Sequence, residues 1–168
     1  MDNSLNIIFD DNKKTVLLHI KKEDLDLDIV RNFALAENLF PKQEFHITII
    51  GRETGEILLK ENLDFEKIKD LVKGINWNFD LTQEYYYITK QYSENEKRES
   101  IIQVVELPEL SDFYVKLNGL TGQDFSFPFS HITLYTNSTK EENRLRGIGI
   151  YSKAEMEQLS PRVLQIDK

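Results

Sequence analysis

The sequence of 168 residues predicts an α+β fold that contains two copies of one structural unit. Runs of β-branched and aromatic residues predict strands, and apolar residues at helical spacing predict amphipathic helices. The order strand, helix, strand, short strand, helix, strand occurs over residues 15–81 and again over residues 100–166. Such a repeat predicts one bilobal domain over residues 1–168, with a pseudo-twofold axis and equivalent elements facing each other across a central cleft.

The first copy opens with an apolar run at residues 15–20 that is typical of a buried strand. Apolar residues at helical spacing then predict a helix over residues 24–39, and Pro41 marks its end. A second strand is expected at residues 45–50, because this run contains Ile, Thr and Phe and lacks both Gly and Pro.

The rest of the first copy contains a turn, a helix and a long strand. We expect the turn at residues 52–55, leading into a short strand at 56–60. The next helix is predicted over residues 65–75, with Asp64 as its N-cap. Aromatic residues from 77 to 92 predict a long strand.

The second copy repeats this order. A strand at residues 100–106 is expected to form a hairpin with the aromatic strand before it. A helix is predicted from Pro108 to Gly119, because proline suits the first helical turn and glycine the end of a helix. Strands are expected at residues 130–135 and 147–151, followed by a short helix and a final strand at 163–166.

The composition favours a soluble protein with a small ligand. Hydrophobic residues make up 40% of the chain and charged residues 30%, as in ordinary globular proteins. The chain has no Cys, which excludes disulfides, thiolate nucleophiles and Cys-based metal sites. A net charge of −8 favours a small or short phosphate-bearing ligand over a long nucleic-acid duplex. We find no apolar run near the roughly 20 residues that span a bilayer and no signal-peptide pattern, so we expect a cytoplasmic protein without membrane partners.

Two tetrapeptides carry the functional signal. His46-Ile47-Thr48-Ile49 and His131-Ile132-Thr133-Leu134 lie 85 residues apart, in equivalent strands of the two copies. Side chains alternate across a strand, so each motif presents an imidazole and a hydroxyl on one face and apolar residues on the other. The pseudo-twofold arrangement brings the two polar faces opposite each other.

This pair of motifs resembles the 2H phosphoesterase superfamily, which includes 2′-5′ RNA ligase-like proteins and cyclic nucleotide phosphodiesterases. The resemblance covers most of the chain in element order and is specific at the two tetrapeptides. It implies a bilobal α+β domain in which two antiparallel sheets, with helices outside, flank a cleft. It also implies that the two His-x-Thr motifs lie on opposing strands in that cleft.

The chemistry of these residue types fits hydrolysis of a phosphodiester. One imidazole, His46 or His131, deprotonates water and the other protonates the leaving alkoxide, which predicts a bell-shaped pH–rate profile. The hydroxyls of Thr48 and Thr133 donate hydrogen bonds to the non-bridging oxygens. No metal or other cofactor is required. We expect a substrate with a 2′,3′-cyclic phosphate, a cyclic nucleotide, or a short 2′-5′-linked oligonucleotide such as an RNA end.

Further side chains are candidates for contact with the substrate. Strand alternation places Phe129 and Tyr135 on the face of His131, where Tyr135 could stack on a base or ribose, and Phe127 or Phe129 could wall the pocket. Arg52 follows the first motif and Lys90 lies on the aromatic strand, and either could neutralise phosphate.

Three other interpretations stay open. His19 lies in Leu18-His19-Ile20-Lys21, without the Thr of the motif, which favours a structural or surface role. The chain could also be a non-catalytic module that binds nucleotides or RNA ends. The third interpretation is an unrelated α+β interaction protein in which the two motifs coincide by chance.

Overall fold

The computed structural model describes residues 6–166 and contains helices together with two antiparallel sheets, so the fold is α+β. The strands are β1 (Asn6–Asp10), β2 (Thr15–Ile20), β3 (Phe40–Pro41), β4 (Phe45–Ile50), β5 (Asp80–Ser93), β6 (Glu96–Glu106), β7 (His131–Ser138) and β8 (Arg162–Leu164). The helices are α1 (Arg31–Ala36), α2 (Arg52–Lys60), α3 (Phe65–Lys73), α4 (Glu109–Thr121) and α5 (Lys153–Gln158).

The two motif strands belong to different sheets. One sheet has the strand order β1-β2-β4, and the other has the order β3-β7-β6-β5-β8. β4 and β7 nevertheless lie against each other. Their apolar faces share one core, in which Ile47, Ile49, Ile132 and Leu134 are fully buried. The apolar backs of both strands therefore anchor the two motifs to the same interior.

Two predicted helices are confirmed. The side chain of Asp64 accepts hydrogen bonds from the backbone N–H groups of Glu66 and Lys67. These groups lie in the first turn of α3 and have no acceptor within the helix, so Asp64 caps it. Helix α4 follows Pro108, but it continues past Gly119. It ends instead at Gly122, whose φ of 69° is the left-handed conformation that favours glycine.

The predicted helix over residues 24–39 is shorter than expected. Lys22–Asp24 and Asp28–Val30 form short 3-10 turns, and only Arg31–Ala36 is α-helical. Asn38 has a φ of 56°, and this left-handed residue ends the helix before Pro41, which belongs to β3. The apolar spacing indicated the buried side of the segment but not the break in its hydrogen bonding.

The predicted strand at 56–60 is wrong, because these residues continue helix α2. Gly55, expected in a turn, lies inside this helix and is buried. A Cβ atom at Gly55 would lie 2.3 Å from the carbonyl oxygen of Lys13, so only glycine lets the helix pack on the β1–β2 turn. The predicted strand at 147–151 is also wrong, since these residues have no regular secondary structure.

Both motif strands contain a β-bulge directly after the threonine. In β4, Thr48 pairs with Leu17 and Ile50 pairs with Val16, so Ile49 is the extra residue. In β7, Thr133 pairs with Ile102 and Tyr135 pairs with Ile101, so Leu134 is the extra residue. A bulge ends the simple alternation of side chains. Residues beyond Thr48 and Thr133 therefore do not continue the polar face.

Within residues 6–166, no helix is both long enough and apolar enough to cross a membrane.

Candidate active site

A cavity of roughly 200 Å³ is lined by both motifs. His46 and Thr48 contribute from β4, and His131 and Thr133 contribute from β7. All four side chains are partly exposed, whereas the residues between them in each motif are buried. The remaining lining residues are Lys42, Gly51, Arg52, Thr54, Tyr114, Ser126, Pro128 and Gly147–Tyr151. Residues far apart in the chain thus converge on one small cavity.

His131 is held in one tautomer. Its Nδ1 lies 2.7 Å from the carbonyl oxygen of Phe129, and its ring stacks on the Phe129 ring at 6.1 Å between centroids. A carbonyl only accepts, so Nδ1 carries the hydrogen and Nε2 is the atom free to exchange a proton. Burial lowers the pKa of His131, and the hydrogen bond to Phe129 opposes that effect.

His46 has a different environment. Burial lowers its pKa to about 4, and the positive charges of Lys42, His131 and His19 add to the effect. Within residues 6–166, no protein group forms a hydrogen bond with its ring. His19 pairs directly with His46 across β2 and β4, so the two side chains share one face of the sheet. At neutral pH the His46 imidazole is therefore uncharged and able to accept a proton.

Each motif threonine is contacted by a glycine. A Cβ atom at Gly147 would lie 3.3 Å from Oγ1 of Thr133, and one at Gly51 would lie 3.4 Å from Cγ2 of Thr48. A larger residue at Gly147 would crowd the hydroxyl of Thr133, whereas a Cβ atom at Gly51 would make an ordinary contact with the methyl group of Thr48. Gly147 thus keeps the space around the Thr133 hydroxyl open.

The carbonyl of each bulge residue has its own partner outside the strand ladder. The hydroxyl of Tyr114 donates to the carbonyl of Ile49 at 2.7 Å. The backbone N–H of Lys42 donates to the carbonyl of Leu134 at 2.9 Å. Burial raises the pKa of Tyr114, so its hydroxyl remains protonated and keeps donating. Lys42 and Tyr114 also line the cavity, so each bulge is hydrogen-bonded to a residue of the site.

Lys42 is a site residue that sequence reasoning missed. The pairing of β3 with β7 places Lys42, which directly follows β3, beside the second motif. The Nζ of Lys42 donates to the carbonyl of Leu145. Burial lowers the pKa of Lys42, and the carboxylate of Glu44 opposes this. In the sequence Lys42 is one polar residue in a loop, so only the tertiary pairing reveals its position.

The first turn of α2 also lines the cavity, through Arg52 and Thr54. Its N-cap is Gly51, which has no side chain to satisfy the free N–H groups there. These N–H groups and the helix dipole favour an anion at this end of the helix. Arg52 was predicted from the sequence, and its largely exposed side chain pairs with Glu56 at 3.2 Å.

Another part of the cavity wall comes from an irregular segment, residues 144–151, which is held largely by side chains. The hydroxyl of Thr136 donates to the carbonyl of Arg144 at 2.6 Å. Arg98 donates to the carbonyl of Gly147 at 3.4 Å and also pairs with the buried Glu96 at 2.8 Å. Glu96 accepts further hydrogen bonds from Ser138 and Asn143. This network fixes the wall beside Thr133.

Three predicted substrate contacts are not brought to this cavity. The bulge at Leu134 turns Tyr135 into the main core, where its hydroxyl donates to the carbonyl of Leu27 at 3.1 Å. Lys90 lies in a neighbouring groove and pairs with Glu155 at 3.1 Å. Phe127 lines an adjoining groove.

Phe129 is not a lining residue either. It acts on the site through the His131 ring, as its carbonyl and its side chain both contact that imidazole. Phe129 precedes β7, and the direct contact with the cavity falls to His131.

Across residues 6–166, no group of three or more His, Cys, Asp or Glu side chains is placed to hold a metal ion. His46 and His131 occur here with hydroxyl, lysine and glycine neighbours.

Comparisons with known proteins find no match. No protein family, no curated protein and no solved structure matches this chain. The resemblance to the 2H phosphoesterase superfamily rests on His46-Ile47-Thr48-Ile49 and His131-Ile132-Thr133-Leu134, because the short strand predicted in each copy is not formed.

Proposed function

We propose that this protein is a metal-independent phosphoesterase that hydrolyses a cyclic or short phosphodiester by two-histidine acid/base catalysis. The observation that carries the proposal is the lining of one cavity by His46, Thr48, His131 and Thr133. Two imidazoles supply both the base and the acid that the reaction needs. The substrate class is a 2′,3′-cyclic phosphate, a cyclic nucleotide or a short 2′-5′ phosphodiester.

In this proposal His46 is the general base. Its lowered pKa keeps it neutral at pH 7. It takes a proton from water while the water oxygen bonds to phosphorus. The attack generates a phosphorane-like transition state whose extra negative charge lies on the non-bridging oxygens.

His131 is the general acid. The Phe129 carbonyl at 2.7 Å fixes the proton on Nδ1 and supports the imidazolium form, which leaves Nε2–H to be donated. That proton passes to the leaving alkoxide as its bond to phosphorus breaks. One water is consumed, and the products are a phosphomonoester and a free hydroxyl. A bound phosphate anion raises the pKa of His131 and so favours its protonated form.

The phosphate is held by groups from both sides of the cavity. The hydroxyls of Thr48 and Thr133 donate hydrogen bonds, and the ammonium of Lys42 supplies positive charge. The free N–H groups at the start of α2 add a further anion-binding element. A compact set of donors in a cavity of about 200 Å³ suits one phosphodiester group rather than a long polyanion.

The proposal includes a duplicated, bilobal domain whose central cleft is this cavity. Matching bulges after Thr48 and Thr133 support it. Matching glycine contacts to the two threonines support it further. The copies differ in detail, because α2 follows the first motif where residues 147–151 follow the second.

The test is turnover of 2′,3′-cyclic mononucleotides, RNA ending in a cyclic phosphate and 2′-5′ oligoadenylate in the presence of EDTA. We expect activity on at least one of them. His46→Ala and His131→Ala should each lower kcat by about 100- to 10,000-fold, since general acid–base catalysis contributes that much. His19→Ala removes a histidine that neighbours His46 but lies outside the cavity lining, so it should cost far less than either of these changes. No turnover of any substrate, or full activity in both variants, would refute the proposal.

A second candidate is a nucleotide or RNA-end binding module without turnover. It is favoured by the lowered pKa of both His46 and His131, which leaves the empty cavity without an acid at neutral pH. Binding without product over hours, with an affinity that His46→Ala and His131→Ala reduce, would favour this module over the enzyme.

A further inference from the structure

The third histidine of the chain lies beside the first motif. The chain contains three histidines, and two of them, His46 and His131, line the cavity. The third, His19, lies in β2 and pairs directly with His46 in β4. The residue pairs on either side of this one keep the same register, so the two histidines hold fixed neighbouring positions. Residues far apart in the chain thus bring all three imidazoles into one region of the fold.

His19 and His46 project from the same face of the three-stranded sheet. Directly opposed residues of an antiparallel pair have Cβ atoms about 4.5–5.5 Å apart, with both side chains on one face. In β2 the neighbours Leu18 and Ile20 are buried, whereas His19 is partly exposed. The core packing of β2 therefore comes from its other face and does not account for an imidazole at position 19.

A charge on His19 acts on His46 across this short distance. Two positive charges on adjacent strands repel each other, so a charged His19 disfavours the imidazolium form of His46. Burial is the largest cause of the lowered pKa of His46, and the charges of Lys42, His131 and His19 follow. Glu44, two residues before His46, carries the opposite charge and acts on Lys42. The charged or titratable side chains that line the cavity with His46 from other elements are those of Lys42, Arg52, Tyr114, His131 and Tyr151.

A bound phosphate makes this arrangement important for the reaction. Negative charge beside an imidazole favours its protonated form, so a substrate phosphate works against a neutral His46. His19 does not line the cavity, and its charge opposes this effect without contact with the substrate. We propose that His19 is a positioning residue that acts through His46 and preserves the neutral imidazole which serves as the base. The inference rests on the proposed function and adds a residue that extends activity towards lower pH.

The experiment varies the charge at position 19 in the full chain. His19→Lys, His19→Gln and His19→Glu would be compared with the wild type by NMR titration of the His46 ring, with and without inorganic phosphate. Only three imidazoles contribute signals, so loss of one signal in His46→Ala assigns that ring. We expect the titration midpoint of His46 to rise in the order Lys, Gln, Glu. The expected step is about 0.5 to 1 pH unit per unit charge, as Coulomb's law gives for charges about 6 Å apart near a protein surface.

The pH dependence of turnover supplies the second readout. The acidic limb of the kcat/KM profile reports the base of the free enzyme, so it should move with the His46 titration in the same order. A side chain that only stabilises the fold would change the amount of active protein. It would not move the limb according to charge.

Asn6 offers a matched control position. It pairs with His19 from the other side, in β1, and is exposed, so it lies one strand further from His46 on the same face. Adjacent strands are about 4.8 Å apart, which places a charge at position 6 about 10 Å from β4, near the screening length in 0.1 M salt. Asn6→Lys and Asn6→Glu should therefore shift the His46 titration far less than the same charges at position 19.

The outcomes separate this inference from the proposed function. Midpoints of His46 that do not follow the charge at position 19, or equal shifts from positions 6 and 19, would overturn the role of His19. An ordered titration with an acidic limb that stays in place would overturn it as well. Turnover with an unordered titration would retain the enzyme and refute the link between His19 and His46. An ordered titration without turnover of any substrate would retain that link and refute the enzyme.

Discussion

The two motif strands, β4 and β7, are alike in sequence and in backbone but differ around their histidines. Both read His-x-Thr and both bulge at the next residue. His131 has a carbonyl partner at 2.7 Å and an aromatic neighbour. His46 has positively charged neighbours and a pKa lowered to about 4. A repeated motif thus has two distinct chemical environments, and residues outside the motif create the difference.

The largest expected effect concerns the leaving group. If His131 is the acid, His131→Ala should lower kcat about 100- to 10,000-fold for a nucleoside cyclic phosphate. The same variant should lower kcat far less for a 4-nitrophenyl phosphodiester, because 4-nitrophenolate leaves without a proton. His46→Ala should be equally impaired on both substrates, because water must still be activated. Steady-state kinetics on the two substrates would check this, and the reverse pattern would exchange the two roles.

The next effect concerns stability at acidic pH. The folded-state pKa of His46 is about 4 and the ordinary value is 6.5, so the unfolded chain binds more protons between these pH values. The contribution of neutral His46 is fully present above pH 6.5 and is lost as pH falls to 4, by up to about 3 kcal/mol. His46→Gln should reduce this loss in urea-unfolding measurements. The difference in the free energy of unfolding between the variant and the wild type at pH 7.5 is the reference for the differences measured at lower pH. An unchanged pH dependence would contradict the assigned environment.

The smallest effect concerns the two bulges. The carbonyl of Ile49 depends on the Tyr114 side chain, whereas the carbonyl of Leu134 depends on a backbone N–H. Tyr114→Phe should therefore lower the free energy of unfolding by about 1–3 kcal/mol, the cost of an unsatisfied buried acceptor. Lys42→Ala keeps its backbone hydrogen bond and serves as the comparison at the other bulge. Equal losses in the two variants, measured by urea unfolding, would show that the bulges do not differ in this way.

The sequence predicted those parts of the fold and site that depend on local pattern. The period-2 alternation in His46-Ile47-Thr48 and the cap at Asp64 are properties of neighbouring residues, and both are confirmed. Tyr135 was placed on the wrong face because a bulge is decided by strand pairing, which the alternation does not contain. Lys42 reaches the cavity only because β3 pairs with β7, so no local signal marked it.

Glycine positions were the hardest to interpret. Gly55 looked like a turn residue, yet it permits close contact between a helix and the carbonyl of Lys13. Gly147 was expected in a strand, and it lies against Thr133 in an irregular part of the cavity wall. Both roles depend on a neighbour distant in the chain.

The wall formed by residues 144–151 differs from the rest of the cavity in how it is held. The carbonyls of Arg144 and Gly147 are bound by the side chains of Thr136 and Arg98, not by a strand ladder. An outward movement of this wall would break separate hydrogen bonds and expose the buried Ile148 and Ile150, but it would break no strand pairing. We therefore expect the segment to open without global unfolding, so that amide hydrogen exchange here reports on access to the cavity while the sheets stay intact.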